Sequence, residues 1–238
     1  MSSPAFSRHA QLLRTVDAEI QAWKAAPPAQ PAGLAQLLLR ATEGLDRLPP
    51  DVALAAATRE LRDQLYFVPG HERQSELLWR EALTTSLFAG RIARVHGWSA
   101  ATACFAGLLH RVGEVLILQI ISKAERVAGA SLDPGRRGRL SESAQRDLAE
   151  SVLRGWRLPA GISAAVLDWR QMGQLGLASR ESMAVYFGHL LAVETLYPEF
   201  CAPGLADSIG ENLGFDSAQL EALRSTGVTP REFLLALG

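Results

Sequence analysis

Apolar positions recur at helical spacing along most of the chain, and no run alternates β-branched or aromatic residues with polar ones as a half-buried strand would. Ala, Leu, Glu and Arg are abundant, which suits helices. The pattern therefore predicts an all-α protein, a multi-helix bundle. Its first helix covers residues 6–24, after which residues 25–31 carry three prolines and read as a linker or turn. A second helix is expected over 34–42. Pro49 and Pro50 then break the chain ahead of a helix over 51–66, and Pro69 with Gly70 breaks it again before a helix over 76–96. Ser99 can cap a long central helix that reaches about residue 123. Residues 130–139 read as a loop of Gly, Pro and Arg, with Ser141 or Ser143 starting a helix that ends near Trp156. Pro159 suits the first turn of the next helix, over 160–172, and helices over 179–197 and 217–225 follow. Thr229, Pro230 and Glu232 give an N-cap, a proline at the first helical position and a capping-box acid, which predicts a short helix over 230–237. The expected organisation is an N-terminal helical segment over 1–50, with its proline-rich linker, packed on a main helical domain over 51–238.

One stretch breaks the rule that charge stays on the outer faces. His110 and Arg111 stand side by side within residues 103–121, flanked by Leu108, Leu109, Val112, Val115 and Leu116. A permanently charged guanidinium is almost never buried without a partner, so this adjacency predicts a polar pocket inside the core. The stretch is long enough to cross a bilayer. However, Arg111 and Glu114 near its midpoint would each cost roughly 2.5 to 3.5 kcal/mol there, and no second long apolar run exists to pair with it. A buried helix of a soluble protein is the expectation.

Composition changes this picture little and narrows the partners. The 238 residues are 48% hydrophobic, enough for a sizeable core. A formal net charge of -1 gives no global field to draw in nucleic acid or an anionic membrane, so neither is expected. The N-terminus shows no secretory signal, and Cys104 and Cys201 lie too far apart for a disulfide framework or a metal spacing. A cytoplasmic location is expected.

Three segments together resemble a known family. FAGLLHRVGEVLIL, from Phe105 to Leu118, is similar to the AGLLHDIG signature of the HD superfamily. LRGWRLP, from Leu153 to Pro159, and LWREALTTSLFA, from Leu78 to Ala89, resemble the LLxxWxLP and LWRHSLxxA segments of its HDOD branch. The order and spacing of all three fit, and the resemblance covers residues 76–196. It implies a helical bundle that, in HD phosphohydrolases, presents a His, a His-Asp pair and a later Asp to a divalent metal acting on a phosphate ester. Under that resemblance Glu81 stands where the first His belongs, His110 keeps the second, Arg111 replaces the Asp, and His189 falls near the final Asp. Gln145 and the pair Asp168 and Trp169 fall where related sequences often carry further histidines.

Arg111 cannot be deprotonated and offers no lone pair, so it is no ligand. A unit charge pair at 4 Å is worth about 4 kcal/mol at an effective dielectric of 20, and a divalent ion facing Arg111 would feel roughly twice that as repulsion. The degenerate pocket thus comprises Glu81, His110, Arg111, Gln145, Asp168, Trp169 and His189, with no metal, no cofactor and no catalytic residue expected. The guanidinium is expected to take the place of the metal, paired with Glu81 and, as a further partner, Asp168. The competing arrangement is an Arg111 whose stem packs in the core and whose head reaches water.

His110 reads as a satisfied core histidine, and Trp79, Trp156 and Trp169 read as packing residues. Arg136, Arg137 and Arg139 could grip an anion through forked donors, although a solvated turn fits them better. The resemblance implies a noncatalytic regulatory or adaptor protein of bacterial signal transduction, acting on protein partners. The apolar run Leu65, Tyr66, Phe67 and Val68 could be a contact face, although ordinary core packing fits it better. Two alternatives stay open. One is a sensor that binds a nucleotide or cyclic dinucleotide in the ancestral pocket, and the other is a phosphohydrolase whose metal site is rebuilt from Glu81, His110, Asp168 and His189.

Overall fold

Leu78, Trp79, Ala82, Leu83, Ala89, Ile92 and Ala93 recur on one side of a helix and are all buried. That helix, α2 (Glu72–Val95), is the central post of the bundle. It packs between α3 (Ala100–Leu109) and α7 (Arg180–Leu196). A second pair, α4 (Val112–Ala128) and α5 (Pro134–Gly155), packs alongside, and α6 (Ala160–Asp168) joins α3, α5 and α7. The computed structural model describes residues 4–29, 61–171 and 179–225, which are helical with no strand. The all-α bundle is therefore as the apolar pattern predicts.

The N-terminal helix α1 (Pro4–Ala25) buries Leu12, Val16 and Ile20 against α4 and α5. Its C-terminal part is tied by Lys24 Nζ to Asp147 at 2.6 Å and by Lys123 Nζ to Glu19 at 2.7 Å. Past α1, the indole of Trp156 donates to the Pro28 carbonyl at 3.3 Å. The C-terminal helices α8 (Leu205–Asn212) and α9 (Ser217–Ser225) close the described chain, with Arg224 bridging Glu194 and Asp207. The sequence pattern did not separate α8, whose eight residues carry Gly210 and too few apolar positions for a clear period.

Several boundaries differ from expectation. The central helix is capped by Ser99 as predicted, its hydroxyl accepting from Thr102 N at 3.3 Å, but it is two helices broken at His110 and Arg111. Two side chains take over carbonyls at the end of α3. Tyr66 Oη donates to Leu108 O at 2.9 Å and Trp169 Nε1 to His110 O at 3.1 Å, and Arg111 then opens α4 with φ -108° and ψ 16°. The residues expected as a loop over 130–139 are helical from Pro134, because Asp133 accepts from Arg136 N at 3.0 Å and Pro134 occupies the first turn. Ser141 and Ser143 therefore lie inside α5. Helix α2 starts at Glu72, four residues before the expected Glu76.

Residues 62–66 form a single π-helical turn, Arg62–Tyr66, where the end of an α-helix was expected. The rest of that expected helix, over 51–60, lies outside the described residues, as do the helices over 34–42 and 230–237, Pro49, Pro50 and the predicted helix end at Met172. The proposed contact face does not survive as a face: Leu65, Tyr66 and Val68 are buried, leaving Phe67 alone exposed at 61%. The stretch Ala100–Ala128 is apolar enough to cross a membrane, yet 83% of its apolar window is buried among the other helices.

The α4 to α5 crossing is close enough to set a test. A β-carbon at Gly113 would lie 2.0 Å from the Gln145 carbonyl oxygen, a backbone atom that moves only if a helix moves. Gly113→Ala is expected to cost about 2 kcal/mol by overpacking, read as a lower urea midpoint at unchanged slope.

Candidate functional site

At the break between α3 and α4 the Arg111 side chain meets two carboxylates. Its Nη1 donates to Glu81 Oε1 from α2, its Nη2 donates to Glu114 Oε2, and its Nε donates to Glu114 Oε1 at 3.0 Å. Glu114 also accepts from Arg170 Nη2, which sits in the short 3₁₀ turn Trp169–Gln171 and lies 4.9 Å over the Trp169 ring. Two carboxylates and two guanidiniums thus form one alternating chain, Glu81, Arg111, Glu114 and Arg170. The Glu81 side chain is 9% exposed and that of Arg111 20%, so the pair is shielded from water and the alternative of a solvated Arg111 head is not what the fold adopts.

Behind this chain lie two imidazoles. His110 Nε2 is 3.9 Å and His189 Nδ1 3.1 Å from the same Glu81 Oε1. His110 Nδ1 donates to Gly107 O at 2.6 Å, which fixes the neutral tautomer and leaves a bare lone pair on Nε2. Trp169 packs edge-on to both rings, with centroids 4.8 Å from each, and its indole holds the His110 carbonyl.

Electrostatics follow the geometry. Burial opposes the ionisation of Glu81, but the Arg111 guanidinium bonded to it outweighs this and holds the carboxyl well below its usual range. Burial lowers the His110 imidazole to about 4, against a partial opposing pull from Glu81. Arg111 is pushed above its ordinary value, since Glu114 and Glu81 overcome its own burial.

The sequence-expected residues divide as follows. Glu81, His110, Arg111, Trp169 and His189 meet at one place. Gln145 lines a cleft of about 230 Å³ on the outer side, together with His110, Arg111, Glu114 and Trp169. Asp168 does not join Arg111. It faces Arg146 at 3.5 Å, and Glu114 fills the role expected of it, so a metal site including Asp168 is not assembled. Arg136 pairs with Asp133 at 3.3 Å, Arg137 Nη1 donates to His71 Nδ1 at 3.1 Å, and Arg139 lies in the same helical segment, so the three line the start of α5 and form no anion-gripping loop. Sequence reasoning missed Glu114 and Arg170 as site residues. The signal for Glu114 was present in its spacing, three residues after Arg111 on one helical face. For Arg170 there was none, because the contact spans 56 residues.

A divalent metal is implied by the wider superfamily, and the residues can be tested for it. Glu81, His110 and His189 each present one ligand atom, all within 4.8 Å of one another. The Glu81 oxygen that both imidazoles face is the one that accepts from Arg111. An ion shared by the three would sit beside a guanidinium that cannot lose its proton, with repulsion of about 8 kcal/mol at 4 Å and a dielectric of 20. The residues present do not fit a metal while Arg111 holds this position.

Comparisons agree with the fold. The solved structure of a nominal phosphohydrolase from Shewanella amazonensis SB2B superimposes with a TM-score of 0.58 at 14% identity, covering 96% of this chain and 98% of that one. That of a nominal signal transduction protein from Marinobacter aquaeolei VT8 superimposes with a TM-score of 0.54 at 15% identity, covering 99% of this chain and 59% of that longer one. No curated protein matches the chain. The HDOD domain family model matches residues 51–172, a span containing α2 to α6 together with Glu81, His110, Arg111 and Glu114. That span is 122 of the 238 residues, and on it the chain belongs to the HDOD domain family.

Proposed function

We propose that the protein is a noncatalytic regulatory or adaptor component of bacterial signal transduction that works through contacts with protein partners. The observation that carries this reading is the guanidinium of Arg111 bonded to Glu81, at the place where HD-type hydrolysis would need a lone-pair ligand and an exposed metal. A side chain that cannot deprotonate supplies neither a nucleophilic water nor a general base. The HDOD match and the likeness to a nominal signal transduction protein support the signalling half of the proposal.

The reading predicts that purified protein, assayed with millimolar Mn²⁺, Mg²⁺ or Zn²⁺, cleaves neither phosphate monoesters nor diesters above the buffer rate. Turnover that follows protein concentration and is lost in Glu81→Gln would contradict it. Affinity capture from the native host, with the partner identified by mass spectrometry and its binding kept in a metal chelator, is the positive counterpart.

A further inference from the structure

We infer that Ser151, Gly155 and Trp156, at the end of α5, form a seat for a proline-rich segment. Pro27 and Pro28 fill it in cis, and a protein partner carrying such a segment takes it when the chain's own prolines lift. This rests on the reading above, that the protein works through protein partners, and names the chemistry by which one is recognised.

Four observations carry it. First, the seat offers donors and the linker offers acceptors. Ser151 Oγ donates to Lys24 O at 3.2 Å, and Trp156 Nε1 donates to Pro28 O at 3.3 Å. Prolines have no N–H, and an extended proline segment leaves its carbonyls free of internal hydrogen bonds. Fixed donors on an aromatic-bearing surface are the chemistry that reads such a segment. Second, the seat is cut by a missing side chain. A β-carbon at Gly155 would lie 2.6 Å from Pro27 Cγ and 3.4 Å from Pro27 Cβ. Ser151 and Gly155 stand four residues apart and so share one face of α5. Third, the turn that follows is strained. Arg157 is held at φ 52°, a left-handed conformation that a non-glycine residue adopts at a cost, and such strain collects at ligand clamps. Fourth, seat and occupant belong to different parts of the chain. Ser151, Gly155 and Trp156 lie within the span matched by the HDOD family model, 51–172, and the two prolines lie outside it.

The prolines can lift without unseating the helix before them. Helix α1 is held by the buried Leu12, Val16 and Ile20 and by the Lys24 to Asp147 pair. Pro27 and Pro28 are only half-buried, and Ala25, Ala26 and Ala29 are exposed. A tethered segment competes at an effective concentration on the order of millimolar, so the cis prolines mask the seat from weak ligands and a partner has to displace them.

The test is fluorescence anisotropy of a labelled peptide with the sequence of residues 24–32, KAAPPAQPA, titrated with the full-length protein. Pro27→Gly with Pro28→Gly loosens the resident segment, and this variant is expected to bind the peptide at least about 10-fold tighter than wild type. Adding Gly155→Ala, which fills the seat, should abolish that gain. Adding Trp156→Phe, which keeps a ring and removes the donor, should weaken binding in the same direction. Gly155 is exposed and helical, so alanine there keeps the fold, as circular dichroism checks. A peptide with glycine in place of both adjacent prolines should not bind. Silence of the folded, loosened variant overturns the seat, as does binding indifferent to Gly155→Ala and to the peptide's prolines. Either result leaves the proposed function standing, because that reading rests on Arg111. A wild-type dimer that dissociates when the peptide is added assigns the seat to a second copy's linker and overturns the separate partner.

Discussion

Glu81→Ala is expected to lower the stability of the folded protein by about 3 kcal/mol, measured as a shift of the urea midpoint at pH 7. Removing one member of a buried pair strands the other, and the cost of a stranded buried charge is typically 3 to 5 kcal/mol. The lower end applies because Arg111 keeps its two contacts with Glu114. Arg111→Met should cost a similar amount for the mirror reason: Glu81 would be left buried without its guanidinium partner. The informative variant is the double one, Glu81→Leu with Arg111→Met. With both charges gone nothing is stranded, and stability should return to within about 1 kcal/mol of wild type or exceed it. A double variant as unstable as the sum of the singles would mean that packing, and not the ion pair, is what the pocket supplies.

Acid is expected to weaken the fold in a window set by His110. Its imidazole titrates at about 4 in the folded protein against 6.5 in the open chain. The unfolded state therefore binds the extra proton first as pH drops. The contribution is fully present above about pH 6.5 and is lost as pH falls to about 4. At 1.36 kcal/mol per unit this comes to about 3 kcal/mol. Glu81 acts in the same direction lower down: its depressed carboxyl contributes stability above its usual range that is lost as pH falls through it. Chemical denaturation at pH 7, 6, 5 and 4 should show a steady decline, and His110→Asn, which cannot titrate, should flatten it between pH 6.5 and 4.5. A wild-type profile flat over that interval would place His110 in contact with water.

Much of the site was legible in the chain because charge inside an apolar run is rare. His110 and Arg111 among leucines and valines announced a polar pocket, and the resemblance to the HDOD branch placed Glu81 and His189 beside them. What stayed hidden depended on contacts between distant residues. The central helix breaks because Tyr66 and Trp169 claim carbonyls at the end of α3, and neither hydrogen bond has a local signature. Asp168 ends α6 and Arg170 lies two residues on in the 3₁₀ turn, and the fold gives Arg146 to the first and Glu114 to the second, an exchange that periodicity cannot rank. The start of α5 was readable and was outvoted. Asp133 and Pro134 are an N-cap and a first-turn proline, but Gly135 and Gly138 read as loop-formers. The link from Arg137 through His71 to Glu125, at 3.1 and 2.9 Å, fastens that helix start to α4 and left no trace in local sequence.

A crystal of the wild-type protein soaked in Mn²⁺ or Zn²⁺ and measured for anomalous scattering addresses the central claim most directly. The expected map shows the Arg111 guanidinium on Glu81 and no anomalous peak between Glu81, His110 and His189. A strong peak there, with Arg111 swung away from Glu81, would contradict the account.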